Sequence, residues 1–220
     1  MKKNILALSI VAIFALLTIW LMAQQKDDNQ ADRDKVAAAG LQKLIELSDP
    51  QTEKMTGISA ERLKSASLGT AVQLNYVNSN SLKNADSVSG INAFLLENKE
   101  YYYPVEAGGT TIASIEVVKT KENKWETGQI GGFKTAPAVS AIINQVLKSD
   151  SAVSKNTIRL IHSGQLGILF VGFEKAGQQF LSPVFTRTEG DFRAGEILTD
   201  KMALERLRGL YQKTNLDLPD

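Results

Sequence analysis

Residues 100–132 read EYYYPVEAGGTTIASIEVVKTKENKWETGQIGG. Tyr101 to Val105 is a β-prone run, ended by Ala107-Gly108-Gly109. Thr111, Ala113, Ile115 and Val117 then alternate along one face of a second strand. Lys121-Glu122-Asn123 supplies a polar turn, and Trp125 to Ile130 returns. Period-two patterning with glycine or asparagine at the bends predicts a three-stranded antiparallel meander. A second meander is predicted from Thr157–His162, Leu166–Phe173 and Gln178–Thr186, with turns at Ser163-Gly164 and Lys175-Ala176-Gly177. The residues of the two do not match, so no sequence repeat is present.

Between them, Val139, Ile142, Ile143, Val146 and Leu147 follow the i, i+3, i+4, i+7, i+8 stripe of a helix over Ala136–Lys148, with Thr135 as its N-cap. A last helix over Asp200–Lys213 would bury Ala203, Leu204, Leu207, Leu210 and Tyr211. Upstream, Asp34 can cap a helix carrying Val36, Gly40, Leu41, Leu44 and Ile45, ended at Ser48-Asp49-Pro50. Ser59 can cap a short helix bearing Leu63 and Ala66. Residues 69–98 are harder: Val72, Leu74 and Tyr76 alternate like a strand, and Asn78 to Ser89 is Asn- and Ser-rich like a loop. The fold expected is α+β: an antiparallel sheet of two meanders separated by a helix, with the helices packed on one face.

The N-terminus differs from the rest. After Lys2 and Lys3, the stretch Ile5–Ala23 (ILALSIVAIFALLTIWLMA) holds no charge. Nineteen helical residues at 1.5 Å each would span roughly 28 Å, about the hydrocarbon thickness of a bilayer. Trp20 stands near the far end, where an amphipathic ring suits the headgroup boundary. A cleaved signal usually has a shorter apolar core. The best cleavage site here, after Ala23, has bulky Leu21 where a small residue is preferred. The expected organisation is a signal-anchor helix at 1–23, a polar tether at 24–34 (QQKDDNQADRD) and an extracytoplasmic domain at 35–220. The chain would cross the cytoplasmic membrane once through residues 5–23, with the C-terminal domain outside. Cleavage after Ala23 would instead make it periplasmic or secreted.

Composition removes several functions. The chain has no cysteine and one histidine, which excludes disulfides, thiolate metal sites, thiol nucleophiles and the usual catalytic zinc centres. Without the first 23 residues the 25 basic side chains become 23, against 24 acidic ones. That balance argues against binding nucleic acid through its phosphates, which needs a basic surface. No cofactor is expected.

Four constellations carry what chemistry remains. Gly128–Thr135 (GQIGGFKT) is one residue from a phosphate-binding loop, but Phe133 occupies the glycine that curls round a phosphate and Pro137 removes an amide. It reads as a strand-to-helix connection. His162 ends a β-run as the one imidazole available to a base, with no G-x-S-x-G or S-x-x-K to serve. Glu189, Asp191 and Glu196 form an acidic, glycine-containing loop, with Arg187 and Arg193 close enough to neutralise it. Tyr101-Tyr102-Tyr103-Pro104, with Trp125, offers an aromatic ridge at a proline-blocked edge.

The expected function is therefore a membrane-anchored, non-catalytic binding or accessory module, recognising another envelope protein, a peptide or a cell-wall component through Tyr101, Tyr102, Tyr103 and Trp125. Two alternatives remain. One is a hydrolase using Glu189 and Asp191 or His162; the other is a self-assembling structural subunit of the envelope.

Overall fold

Val72–Tyr76 decides how the two meanders meet. The computed structural model describes residues 30–85, 90–149, 151–186 and 192–213. In it the chain is α+β, built on one nine-stranded sheet. The first meander is β3 (Glu100–Ala107), β4 (Thr110–Lys119) and β5 (Trp125–Gly131). The second is β6 (Arg159–Ser163), β7 (Ile168–Lys175) and β8 (Gln178–Pro183). Between them lies β2 (Val72–Tyr76), antiparallel to β3 and parallel to β6. Short strands complete the sheet: β1 (Ser67–Leu68) on β3 and β9 (Leu198–Thr199) on β8. The sheet is thus mixed, where the sequence suggested antiparallel pairing throughout.

The helices cover both faces, which corrects the one-face expectation. Leu160 and Ile161 are adjacent in β6, so their side chains point to opposite sides of the sheet. Leu160 packs with Val139, Ile142 and Val146 of α5 (Thr135–Ser149). Ile161 packs with Phe170, Leu181, and Leu204 and Leu207 of α6 (Asp200–Lys213). On that same second face, Tyr103, Val105, Ile115 and Val117 pack beneath Ala37 and Leu44 of α1, helical over residues 30–46. Strands buried on both sides need apolar residues at successive positions, as in Leu160-Ile161 and Phe170-Val171. Fully burying each large side chain contributes about 1.5–3 kcal/mol at most.

α1 is already helical at residue 30, so Asp34 lies inside it and the tether's last five residues are helix. Gly40 lets α1 approach β4 closely: a Cβ there would stand 2.7 Å from Ile115 Cγ2. Pro50 opens α2 (Pro50–Thr56) at its first turn, where no amide is lost, and the Asp49 side chain accepts from the Thr52 amide at 2.6 Å. Ser59 caps α3 (Ala60–Lys64) as expected, accepting from the Arg62 amide. A further short helix, α4 (Ser79–Lys83), follows β2.

Residues 1–29, with the expected membrane helix, lie outside the described residues. Among the described residues no helix is long and apolar enough to cross a membrane.

Candidate functional site

Alternation along β3 and β4 places Tyr102, Ser114 and Glu116 on the α5 face, with Tyr102 and Glu116 opposite one another in the β3–β4 register. On β2 and β6 the same face carries Tyr76 and His162, which are also register partners. α5 covers one part of this face. Beyond its N-terminus the sheet is left open as a cleft of about 250 Å³, lined by all five residues. Leu169 of β7 and Phe185, just past β8, close the side belonging to the second meander.

The β5 wall depends on a bulge. Ile115 pairs with Ile130, yet Val117 pairs with Thr127, so Gly128 and Gln129 together oppose Glu116. That extra residue lets Thr127 and Ile130, three apart, both lie toward α1, and brings Gln129 to the cleft. The chain then turns through Gly131 (φ +125°) and Gly132 (φ +59°) into α5. A Cβ at Gly132 would collide with Ser114 Oγ, so the connection presses on the cleft floor. Gly128–Thr135 is therefore a strand-to-helix connection, with Lys134 exposed.

The polar groups here are incompletely partnered. Tyr102 is 2% exposed, and its hydroxyl is buried without a hydrogen-bond partner. The Ser114 hydroxyl lies near it but short of good hydrogen-bond geometry. Burial pushes the Tyr102 phenol well above its usual range. The Glu116 carboxyl is raised to about 7, first by burial and then by the charge of Glu100. Glu100 is itself raised by burial, against hydrogen bonds from Tyr76 Oη at 3.1 Å and Asn98 Nδ2 at 3.5 Å that hold it down. His162 is lowered by burial, so its imidazole is held neutral. Its ring lies against Tyr76, with centroids 5.5 Å apart. The sequence placed His162 correctly at a strand end. It gave no hint that residues of the other meander surround it.

The aromatic ridge is divided between the two faces. Tyr102 faces α5, whereas Tyr101, Tyr103 and Trp125 face α1. Tyr103 is 3% exposed; Tyr101 and Trp125 are half-buried and meet edge-on at 5.8 Å. Arg33 of α1 lies over the Tyr101 ring at 3.8 Å, and Lys119 over Trp125 at 5.2 Å. These four residues do not form one surface.

Of the acidic loop, Glu189 and Asp191 lie outside the described residues, as does Arg187. Glu196 accepts from the Arg193 amide at 2.8 Å and from Arg206 Nη1 at 2.9 Å, so an arginine of α6 neutralises it. Among the described residues no group of three or more acidic or histidine side chains could hold a metal ion.

Glu116 is the residue the sequence reading passed over. It sits between Ile115 and Val117 and resembles an ordinary solvent-facing position of a half-buried strand. The chain matches no known family model, no curated protein and no solved structure. The geometry of the cleft therefore carries the functional argument.

Proposed function

We propose that this chain is a membrane-anchored, extracytoplasmic binding module whose ligand enters the cleft beside α5. The uncharged run Ile5–Ala23 supports the anchor, as it has the length of a bilayer span. The observation that carries the binding role is a cleft walled by a half-buried Glu116 carboxyl that has no hydrogen bond or ion pair among the described residues, beside a Tyr102 hydroxyl that is buried and unpaired. Buried polar groups are nearly always hydrogen-bonded, and leaving one unpaired costs about 1–3 kcal/mol. A ligand that pairs with the Glu116 carboxyl recovers part of that cost. The cleft therefore takes the place of the Tyr101–Tyr103 ridge as the recognition surface.

Two measurements test this on the full-length protein. In membrane fractions it should resist carbonate extraction, and protease added outside spheroplasts should remove its C-terminal domain. A thermal-shift screen of amines, sugars, short peptides and organic acids should yield one stabilising class, with the effect lost in Glu116→Gln. A carbonate-soluble full-length chain would sink the anchor. A screen without a stabilising class would sink the binding site.

A second reading has one observation in its favour. A carboxyl raised to about 7 in a cleft that also holds a neutral imidazole suits general acid–base hydrolysis. Against it, no serine or threonine hydroxyl is hydrogen-bonded to His162 among the described residues. Turnover of ester, glycoside or peptide substrates, abolished in Glu116→Gln, would replace the binding reading.

A further inference from the structure

The cleft's chemistry is one-sided. Glu116 is a carboxylate, and the Tyr102, Ser114 and Thr135 hydroxyls and the Gln129 carbonyl can all accept hydrogen bonds. Neutral His162 adds an acceptor nitrogen. Among the described residues no lysine or arginine lines the cleft. The α5 N-terminus adds little for an anion. The Ala136 amide is already bonded to the Gly132 carbonyl at 2.8 Å and Pro137 has none, so at most the Thr135 amide remains among the first three. An anion would face Glu116, with Glu100 behind it, and no lining cation among the described residues to offset them.

A protonated amine meets the opposite situation. It donates three hydrogen bonds, and aromatic faces of the kind Tyr76 and Tyr102 carry attract cations. The volume of about 250 Å³ has room for on the order of eight water-sized groups, the size of a short diamine or small aralkylamine. The buried Tyr102 hydroxyl, without a partner beside Ser114, is an observation independent of the carboxylates.

We infer that the cleft binds a small molecule bearing a protonated amine, with Glu116 as the counter-ion. This rests on the binding-module reading above and names its ligand class.

The test uses full-length protein in non-ionic detergent at pH 8 and ligand-observed saturation-transfer NMR. The probes are n-butylammonium and butane-1,4-diammonium, with 1-butanol and butyrate as neutral and anionic counterparts of similar size. The ammonium probes should bind and the other two should not. Glu116→Gln should weaken ammonium binding at least tenfold while the protein still unfolds cooperatively. Equal binding of butanol or butyrate, or unchanged ammonium binding in a folded Glu116→Gln variant, would overturn the amine assignment and leave the binding module standing. Absence of binding by all four probes would overturn the amine assignment alone, since a sugar or peptide ligand would still satisfy the binding reading.

Discussion

Tyr76 and His162 oppose one another across the parallel β2–β6 pair, their rings 5.5 Å apart and tilted by 55°. This contact joins β2, which lies between the two meanders, to β6 at the cleft. Because burial lowers the His162 pKa, the folded protein resists a proton that the unfolded chain accepts near 6.5. Stability is therefore lost as pH falls below about 6.5. His162→Phe keeps a ring against Tyr76 and removes the titration. Compared with wild type by urea unfolding, it should gain stability between pH 8 and pH 5. An unchanged difference across that range would show that His162 is not held neutral.

Glu116 works in the other direction. Its carboxyl is raised from 4.5 to about 7, so between those values the folded state holds a proton that the unfolded state releases. The protonated form's contribution is present below about 4.5 and is lost as pH rises through about 7. Glu116→Gln should thus become more stable relative to wild type across that interval, with the gain levelling off above it. Thermal unfolding at pH 4.5, 6 and 8 checks this, and an advantage that did not grow with pH would contradict the assigned shift.

Gly132 is the backbone support of the site. A non-glycine residue at φ +59° costs about 1–2 kcal/mol. The added Cβ would also displace Ser114 from beneath Tyr102. Gly132→Ala should lower stability by about 2–3 kcal/mol, combining that strain with local overpacking. Gly108→Ala is the control, since its φ of +60° is similar but nothing lies within 4 Å of its Cβ. Denaturation of the two variants should separate steric pressure from backbone strain. Equal losses would show that Gly132 does not press on the cleft.

Which parts of this were legible in the sequence follows from the range of the interactions involved. The β3–β4–β5 meander, α5 and α6 were readable because hydrophobic period and turn residues are local. The faces were not: Leu160-Ile161 reads as a single apolar patch, and the neighbours in space of each residue decide that one meets α5 and the other α6. β2 was faint for the same reason, being five residues long with partners at Tyr102 and Arg159. Glu116 carried one available signal, a charged residue between Ile115 and Val117. Only the bulge at Gly128-Gln129 and the approach of α5 make that position a half-buried one.

Arg33 fixes the start of α1 to the sheet. Its guanidinium lies 3.8 Å from the Tyr101 ring centroid, and its Nε donates to the Tyr103 hydroxyl at 2.6 Å. That hydroxyl donates in turn to Asp34. The Arg33 side chain is only 11% exposed, so stacking and hydrogen bond both operate with little water nearby. A charge-assisted hydrogen bond contributes about 1.5–3 kcal/mol and a cation–π contact about 0.5–2 kcal/mol, partly offset by the cost of burying the guanidinium. Arg33→Ala should therefore destabilise the protein by about 2 kcal/mol. Arg33→Lys should restore little of it, because an ammonium cannot stack flat while donating sideways to Tyr103. Hydrogen exchange should locate the loss, with amides of residues 34–40 exchanging faster in both variants and those of α6 unchanged. Full rescue by lysine, or uniform loss of protection across α1 and α6, would mean that Arg33 contributes charge alone or that the first half of the sheet does not depend on this clamp.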